Sequence, residues 1–193
     1  MNTLAVQPWP GPAPAPQDGL FAILIRTTVR SPDAQRDAAR RQIRLAAREA
    51  LAAVLRRPIA DVSITSMPGA PPRILLAGPE SLIGCSFSHD GDYALAAFNL
   101  QGPIGADLMH VQDIPDWQAV ARDYLGPAVT AALLAAPDRP HAFTQAWTQR
   151  EAALKCHAQQ ISEWQSDLPG QSISLALPVA GLLGHIHIGD RSA

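Results

Sequence analysis

Lysine is nearly absent from this sequence. Of the 15 basic residues only Lys155 is a lysine, and the others are arginine. A site that keeps lysine in such a chain is marked for testing. Cysteine is scarce as well: Cys85 and Cys156 stand alone, with no CxxC pair. That excludes a disulfide framework and reads as two free thiols of a reducing compartment, so a cytoplasmic protein is expected. No apolar run reaches membrane-spanning length, and no basic stretch precedes an apolar run near the start. Neither a membrane span nor a signal peptide is therefore expected. The formal net charge of −2 gives no bulk attraction to nucleic acid or to a membrane surface.

What is present suits a globular core. Hydrophobic residues make up 47% of the 193 positions and charged residues 17%, which argues against disorder and fits one domain or two small halves packed together. Charge is unevenly placed. Nine of the 15 basic residues fall between Arg26 and Arg57, while Asp90, Asp92, Asp107, Asp113, Asp116 and Asp123 dominate the middle. An anionic ligand and a cation could each find a place in such a chain.

The pattern predicts an alternating order of elements. Residues 7–16 (QPWPGPAPAP) are Pro-rich and read as an extended arm that neither forms a helix nor pairs as a central strand. A strand over Leu20–Thr28 precedes Ser31-Pro32-Asp33, an N-cap with proline suited to the first turn. A helix then runs to about Arg56, with Ile43, Ala47, Ala50, Leu51, Val54 and Leu55 at helical spacing. Short strands are expected at Asp61–Thr65, Arg73–Ala77, Leu82–Phe87, Asp92–Asn99 and Ile104–Met109. Helices follow at 114–125, 127–136 and 139–158, and an antiparallel pair closes the chain at Ser172–Leu177 and Leu183–Ile188. The expected fold is α+β, a pseudo-two-fold pair of similar halves, each with a small antiparallel sheet packed on a long helix. The boundaries read as an arm over 1–19, a first half over 20–100 and a second half over 101–193.

Three segments carry candidate chemistry. In Ser86-Phe87-Ser88-His89-Asp90-Gly91, a strand ends in a polar Ser-His pair before a glycine turn. Hydroxyls, backbone N–H groups and an imidazole suit a phosphate, although local sequence alone favours ordinary turn chemistry. In Ile104–Met109, alternation puts Ile104, Ala106 and Leu108 on one face and Asp107 with Met109 on the other. A lone aspartate in an apolar strand needs a partner: a metal, an arginine or a backbone cap. In Trp147–Lys155, residues Trp147, Glu151 and Lys155 lie four apart on one helix face. Spacing alone reads as a surface ion pair worth about 0.3–0.5 kcal/mol, but the tryptophan beneath it points to a partly buried face. Arg36, Arg40, Arg44 and Arg48 form a ladder that ordinarily marks a solvated helix face, with phosphate or nucleic-acid binding as the minority reading. His185 and His187 alternate on a terminal strand without a third ligand and read as structural.

In order and separation, these segments resemble the 4′-phosphopantetheinyl transferase superfamily in its larger, single-chain, two-half form. The resemblance spans about residues 20–190. It is carried by Gly69-Ala70-Pro71, Ser88-His89, Gly105-Ala106-Asp107-Leu108-Met109 and Trp147-Thr148-Gln149-Arg150-Glu151-Ala152-Ala153-Leu154-Lys155, with Phe143 four before the tryptophan. It implies transfer of 4′-phosphopantetheine from coenzyme A to a serine of an acyl or peptidyl carrier protein, with Mg²⁺. Asp107 and Glu151 would bind the metal, and Lys155 would hold the phosphates and stabilise the leaving group. Ser88, His89, Arg44 and Arg73 would complete the nucleotide site, and Glu151 is the candidate base. A monomer is expected, with no nucleic-acid or membrane partner. The sequence departs from the family pattern at Met109, where a second acid is usual, at Ala70 and Arg150 in place of lysines, and at Cys156-His157-Ala158, where a glycine is usual. Near Tyr124 the family's acid is missing. The alternative is a divergent, non-catalytic relative that binds coenzyme A or a carrier protein.

Overall fold

A computed structural model describes residues 3–27, 32–67 and 69–189. It is a mixed α+β fold. Its strands are β1 (Thr3–Pro8), β2 (Leu20–Arg26), β3 (Val62–Thr65), β4 (Arg73–Leu76), β5 (Gly84–Asp90), β6 (Tyr93–Asn99), β7 (Ile104–His110), β8 (Gln171–Ala176) and β9 (Leu182–Ile188). Its helices are α1 (Pro32–Leu55), α2 (Trp117–Val120), α3 (Pro127–Ala135) and α4 (Arg139–Cys156). No helix among the described residues is long and apolar enough to cross a membrane.

Seven strands form one mixed sheet in the order β5-β6-β2-β1-β8-β9-β7, and β3 pairs with β4 separately. This corrects the expectation of a small antiparallel sheet in each half. The joint is β1, which lies parallel to both β2 and β8. Its placement also corrects the reading of residues 7–16, because Gln7 and Pro8 pair with Ile23 and Leu24 at the centre of the sheet. Proline is tolerated there because β1 meets β8 only through Thr3–Ala5. The ladder toward β2 continues past Pro8 through the Trp9 N–H, which donates to the Leu24 carbonyl at 2.9 Å.

Strand alternation divides the apolar residues between two cores. Phe21, Ile23 and Ile25 of β2, with Ala94, Ala96 and Phe98 of β6, pack against Ile43, Ala47, Ala50 and Leu51 of α1. The other face of the same strands gives Ala22, Leu24, Leu95 and Ala97 to a second core, which also takes Ile104, Ala106 and Leu108 of β7. A third, smaller core joins Trp117, Leu125 and Leu133 to Phe143 of α4.

The two edge strands, β5 and β7, are joined by side chains. The N–H groups of Ala106, Leu108 and His110 donate to Ser86 Oγ (2.9 Å), Ser88 Oγ (3.2 Å) and Asp90 Oδ2 (2.6 Å). Each bond spans the same 20-residue offset, so the sheet curls round and closes along a parallel, side-chain seam. This seam explains why the strand expected at Leu82–Phe87 runs instead to Asp90. Leu82 is largely exposed, and β5 pairs with β6 from Gly84↔Asn99 to Asp90↔Tyr93.

The helical expectations hold, with local changes. The segment expected at 114–125 is a single α-turn, α2, followed by a π-turn over Ala121–Leu125. Helix α4 begins where Asp138 Oδ1 accepts the His141 N–H at 3.1 Å. The proposed Ser31 cap of α1 lies outside the described residues, and nothing is described of the Arg36 side chain.

Candidate active site

The site depends first on how closely α4 approaches β7. Gly105 opens the Gly-Ala-Asp segment of β7, and a Cβ there would fall on the Ala152 carbonyl oxygen and the Cys156 nitrogen of α4. Lacking one, the strand lets the helix backbone lie directly on it. Trp147, Glu151 and Lys155 then face the same cleft as Asp107 and Met109. The alternation expected for β7 is observed: Ile104, Ala106 and Leu108 point into the second core, and Asp107 points to the cleft.

Lys155 reaches off its helix to β7. Its Nζ donates to Asp107 Oδ1 at 2.7 Å and to the Ala106 carbonyl at 3.1 Å. An ammonium has three protons, so one remains for a ligand in the cleft. Asp107 is buried, and Ser88 Oγ also donates to its Oδ1 at 2.8 Å. The Glu151 carboxyl is raised above its ordinary pKa, chiefly by burial and then by the negative charge of Asp107; Lys155 opposes the shift. Trp147 supports this face, stacked on Phe143 (6.1 Å between ring centroids) and edge-on to Tyr124 (6.2 Å).

The opposite wall is basic. Arg40 and Arg44 of α1 and Phe87 and His89 of β5 line the same cleft, which encloses about 470 Å³. The Arg44 guanidinium lies 5.8 Å from the Phe87 ring centroid, a cation–π contact. A second cleft of about 600 Å³ shares Arg40, Arg44, Phe87 and Lys155, and adds the Gly69-Ala70-Pro71 turn. The two adjoin, giving space for an elongated anionic ligand.

Most of the residues singled out in the sequence meet here: Asp107, Glu151, Lys155, Ser88, His89 and Arg44 all line the first cleft. Arg73 does not. It pairs with Glu80 at 3.3 Å on the exposed side of β4 and lines neither cleft. The arginine ladder divides: Arg40 and Arg44 face the cleft, whereas Arg48 donates to the carbonyls of Val62 (2.9 Å) and Ile59 (3.3 Å) and fastens α1 to β3. His185 and His187 are internal pins, as expected. His185 Nδ1 lies 2.8 Å from Thr148 Oγ1, and burial lowers its pKa to about 4, so the ring is neutral. His187 Nδ1 lies 3.0 Å from Ser172 Oγ.

Sequence reasoning missed Phe87 and Asp90 as cleft residues. Asp90 Oδ2, besides accepting the His110 N–H, lies 2.7 Å from His110 Nδ1. The available signal was the alternation Ser86-x-Ser88-x-Asp90, which puts three small polar side chains on one face of a strand.

The donor set fits a hard divalent cation. Asp107 and Glu151 offer carboxylate oxygens, and the repulsion that raises the Glu151 pKa is what a cation between them relieves. No cluster of three or more Asp, Glu, His or Cys is present among the described residues, so the protein would supply two carboxylates and leave the other positions to water and ligand phosphate. The Met109 thioether, on the same wall, is a poor ligand for such an ion.

No curated protein matches the chain. A family model described as the 4′-phosphopantetheinyl transferase superfamily matches residues 103–176, which contain β7, all of α4 and β8. The segment that places Asp107, Glu151 and Lys155 on one wall is thus the part of the chain that is similar to the 4′-phosphopantetheinyl transferase superfamily.

Proposed function

We propose that this protein transfers 4′-phosphopantetheine from coenzyme A to a serine of an acyl or peptidyl carrier protein, with Mg²⁺. The observation that carries the reading is the convergence of Asp107, Glu151 and Lys155 on a cleft whose other wall holds Arg40, Arg44 and His89. One side suits a cation and the other suits phosphates.

Asp107 and Glu151 would hold the Mg²⁺, which when bound neutralises charge on the pyrophosphate. Lys155 directs its remaining proton at the same phosphates and stabilises the oxygen that leaves. Arg44 is the candidate for the 3′-phosphate, held over Phe87, with His89 beside it. As the serine Oγ–P bond forms, the pyrophosphate P–O bond breaks and 3′,5′-adenosine bisphosphate departs. The serine proton passes to Glu151.

We also read the chain as two related halves, 20–100 and 101–193, acting as a cytoplasmic monomer. The support for the halves is connectivity: with the β3–β4 pair set aside in the first and α2 and α3 in the second, β2-α1-β5-β6 and β7-α4-β8-β9 each run strand, helix, hairpin. In each, the last strand lies between the other two.

The test is direct. Apo carrier protein incubated with coenzyme A, Mg²⁺ and this protein should gain the mass of one phosphopantetheine, and a chelator should prevent it. Coenzyme A binding without mass gain on any of several carriers would replace transfer with the non-catalytic reading.

A further inference from the structure

Two donors converge on one oxygen of Asp107. Ser88 Oγ lies 2.8 Å from Oδ1 and Lys155 Nζ lies 2.7 Å from the same atom. Oδ2 accepts no hydrogen bond among the described residues, and Asp107 lines the cleft. The terminal torsion of an aspartate is soft, so pinning one oxygen decides which one the cleft receives.

The Ser88 hydroxyl is itself oriented. It accepts the Leu108 N–H at 3.2 Å, and its single proton is then given to Asp107. Ser88 and Asp107 are 7% and 8% exposed, so water does not compete strongly for these bonds. Ser86 gives the contrast. It holds the same seam through the Ala106 N–H at 2.9 Å, two residues earlier on the strand, with no bond to the carboxylate.

We infer that Ser88 is a positioning residue: with Lys155 it fixes Asp107 Oδ1 and presents Oδ2 to a divalent cation, and it holds no nucleotide phosphate itself. This inference rests on the cation reading of the cleft. It gives Ser88 a role different from the phosphate contact suggested by the Ser-His motif.

The experiment uses the full-length protein and Mn²⁺ as the probe, with unbound Mn²⁺ counted by electron paramagnetic resonance. Ser88→Ala should weaken Mn²⁺ binding about tenfold or more, as loss of an outer-shell partner does. Ser88→Thr should restore most of it, and Ser88→Cys, with a weaker donor of similar size, should fall between. Ser86→Ala, which breaks a seam bond alone, should leave Mn²⁺ affinity unchanged. In chelator, the Ser88→Ala protein should bind coenzyme A as well as the wild type does.

Three results would overturn the inference while leaving the proposed function standing. These are Mn²⁺ affinity that ignores Ser88→Ala, equal losses in Ser86→Ala and Ser88→Ala, or weaker metal-free coenzyme A binding in Ser88→Ala. A wild-type protein that binds no Mn²⁺ would remove the cation reading and this inference with it.

Discussion

On the β7–α4 wall of the cleft, Asp107 and Lys155 are tied down. Asp107 is buried, with donors from Ser88 and Lys155, and Lys155 is held a second time by the Ala106 carbonyl. On the α1–β5 wall, Arg44 rests on an aromatic face at 5.8 Å, a contact that limits the guanidinium without fixing the direction of its protons. The first wall is built for geometry at a single point, and the second supplies positive charge over an area. This fits a site where bond-breaking needs fixed oxygens and the rest of a long anion needs attraction. Substitutions should therefore separate sharply by wall.

The largest effect is expected at Asp107. On the proposed reading, Asp107→Ala would remove the best-fixed oxygen ligand and should lower transfer by about a thousandfold, read as carrier mass gain over time. An unaltered rate would show that the fixed wall is not where chemistry occurs. Glu151→Gln should cost roughly a hundredfold if Glu151 is the base. It should also change how stability depends on pH. The folded-state pKa of Glu151 is raised, so its contribution to stability is present at low pH and is lost as pH rises from about 4.5 through the folded value. In chelator, the melting temperature of Glu151→Gln should exceed that of the wild type at pH 7. Added Mg²⁺ should close the gap by stabilising the wild type.

Effects on the other wall should be smaller and salt-dependent. Arg44→Ala should weaken coenzyme A binding about tenfold at low ionic strength, with little change for coenzyme A lacking the 3′-phosphate. Titration calorimetry with the two ligands distinguishes a specific contact from diffuse attraction. Equal losses for both would move the 3′-phosphate elsewhere on the wall. The smallest effect is expected at Arg73, whose pair with Glu80 is exposed on both sides. Arg73→Ala should change stability by less than about 0.5 kcal/mol and leave coenzyme A binding unaltered.

The same division governs what the sequence could reveal. The fixed wall is written in local spacing. Alternation in Ile104–Met109 separates the apolar face from Asp107, and Trp147, Glu151 and Lys155 repeat at four residues. Both patterns survive folding because each lies within one regular element. The partner of each element was less legible. That Lys155 would reach Asp107 and not act along its helix depends on the close approach permitted by Gly105. The contact of Ser88 with Asp107 arises from curling a sheet until its edges meet, which no local window encodes. On the basic wall, helical spacing placed Arg40, Arg44 and Arg48 on one face, yet Arg48 turned to the carbonyls at Ile59 and Val62. Long side chains choose among neighbours that only tertiary structure supplies. In β1 the run of prolines drew attention from the strand before it, where Leu4 and Val6 are both buried in the second core.

The central position of β1 also sets an order of events during synthesis. Thr3 pairs with Ser174 on one side, while Val6 pairs with Ala22 on the other. β1 is made before β8, so its second edge stays uncovered until β8 has emerged. Until β8 arrives, the nascent chain carries an open strand edge beside the apolar β2, the kind of surface on which incomplete chains associate. The β1–β8 pairing therefore forms only after every strand from β2 to β7 has been made, and β1 is the joint that the sheet closes around.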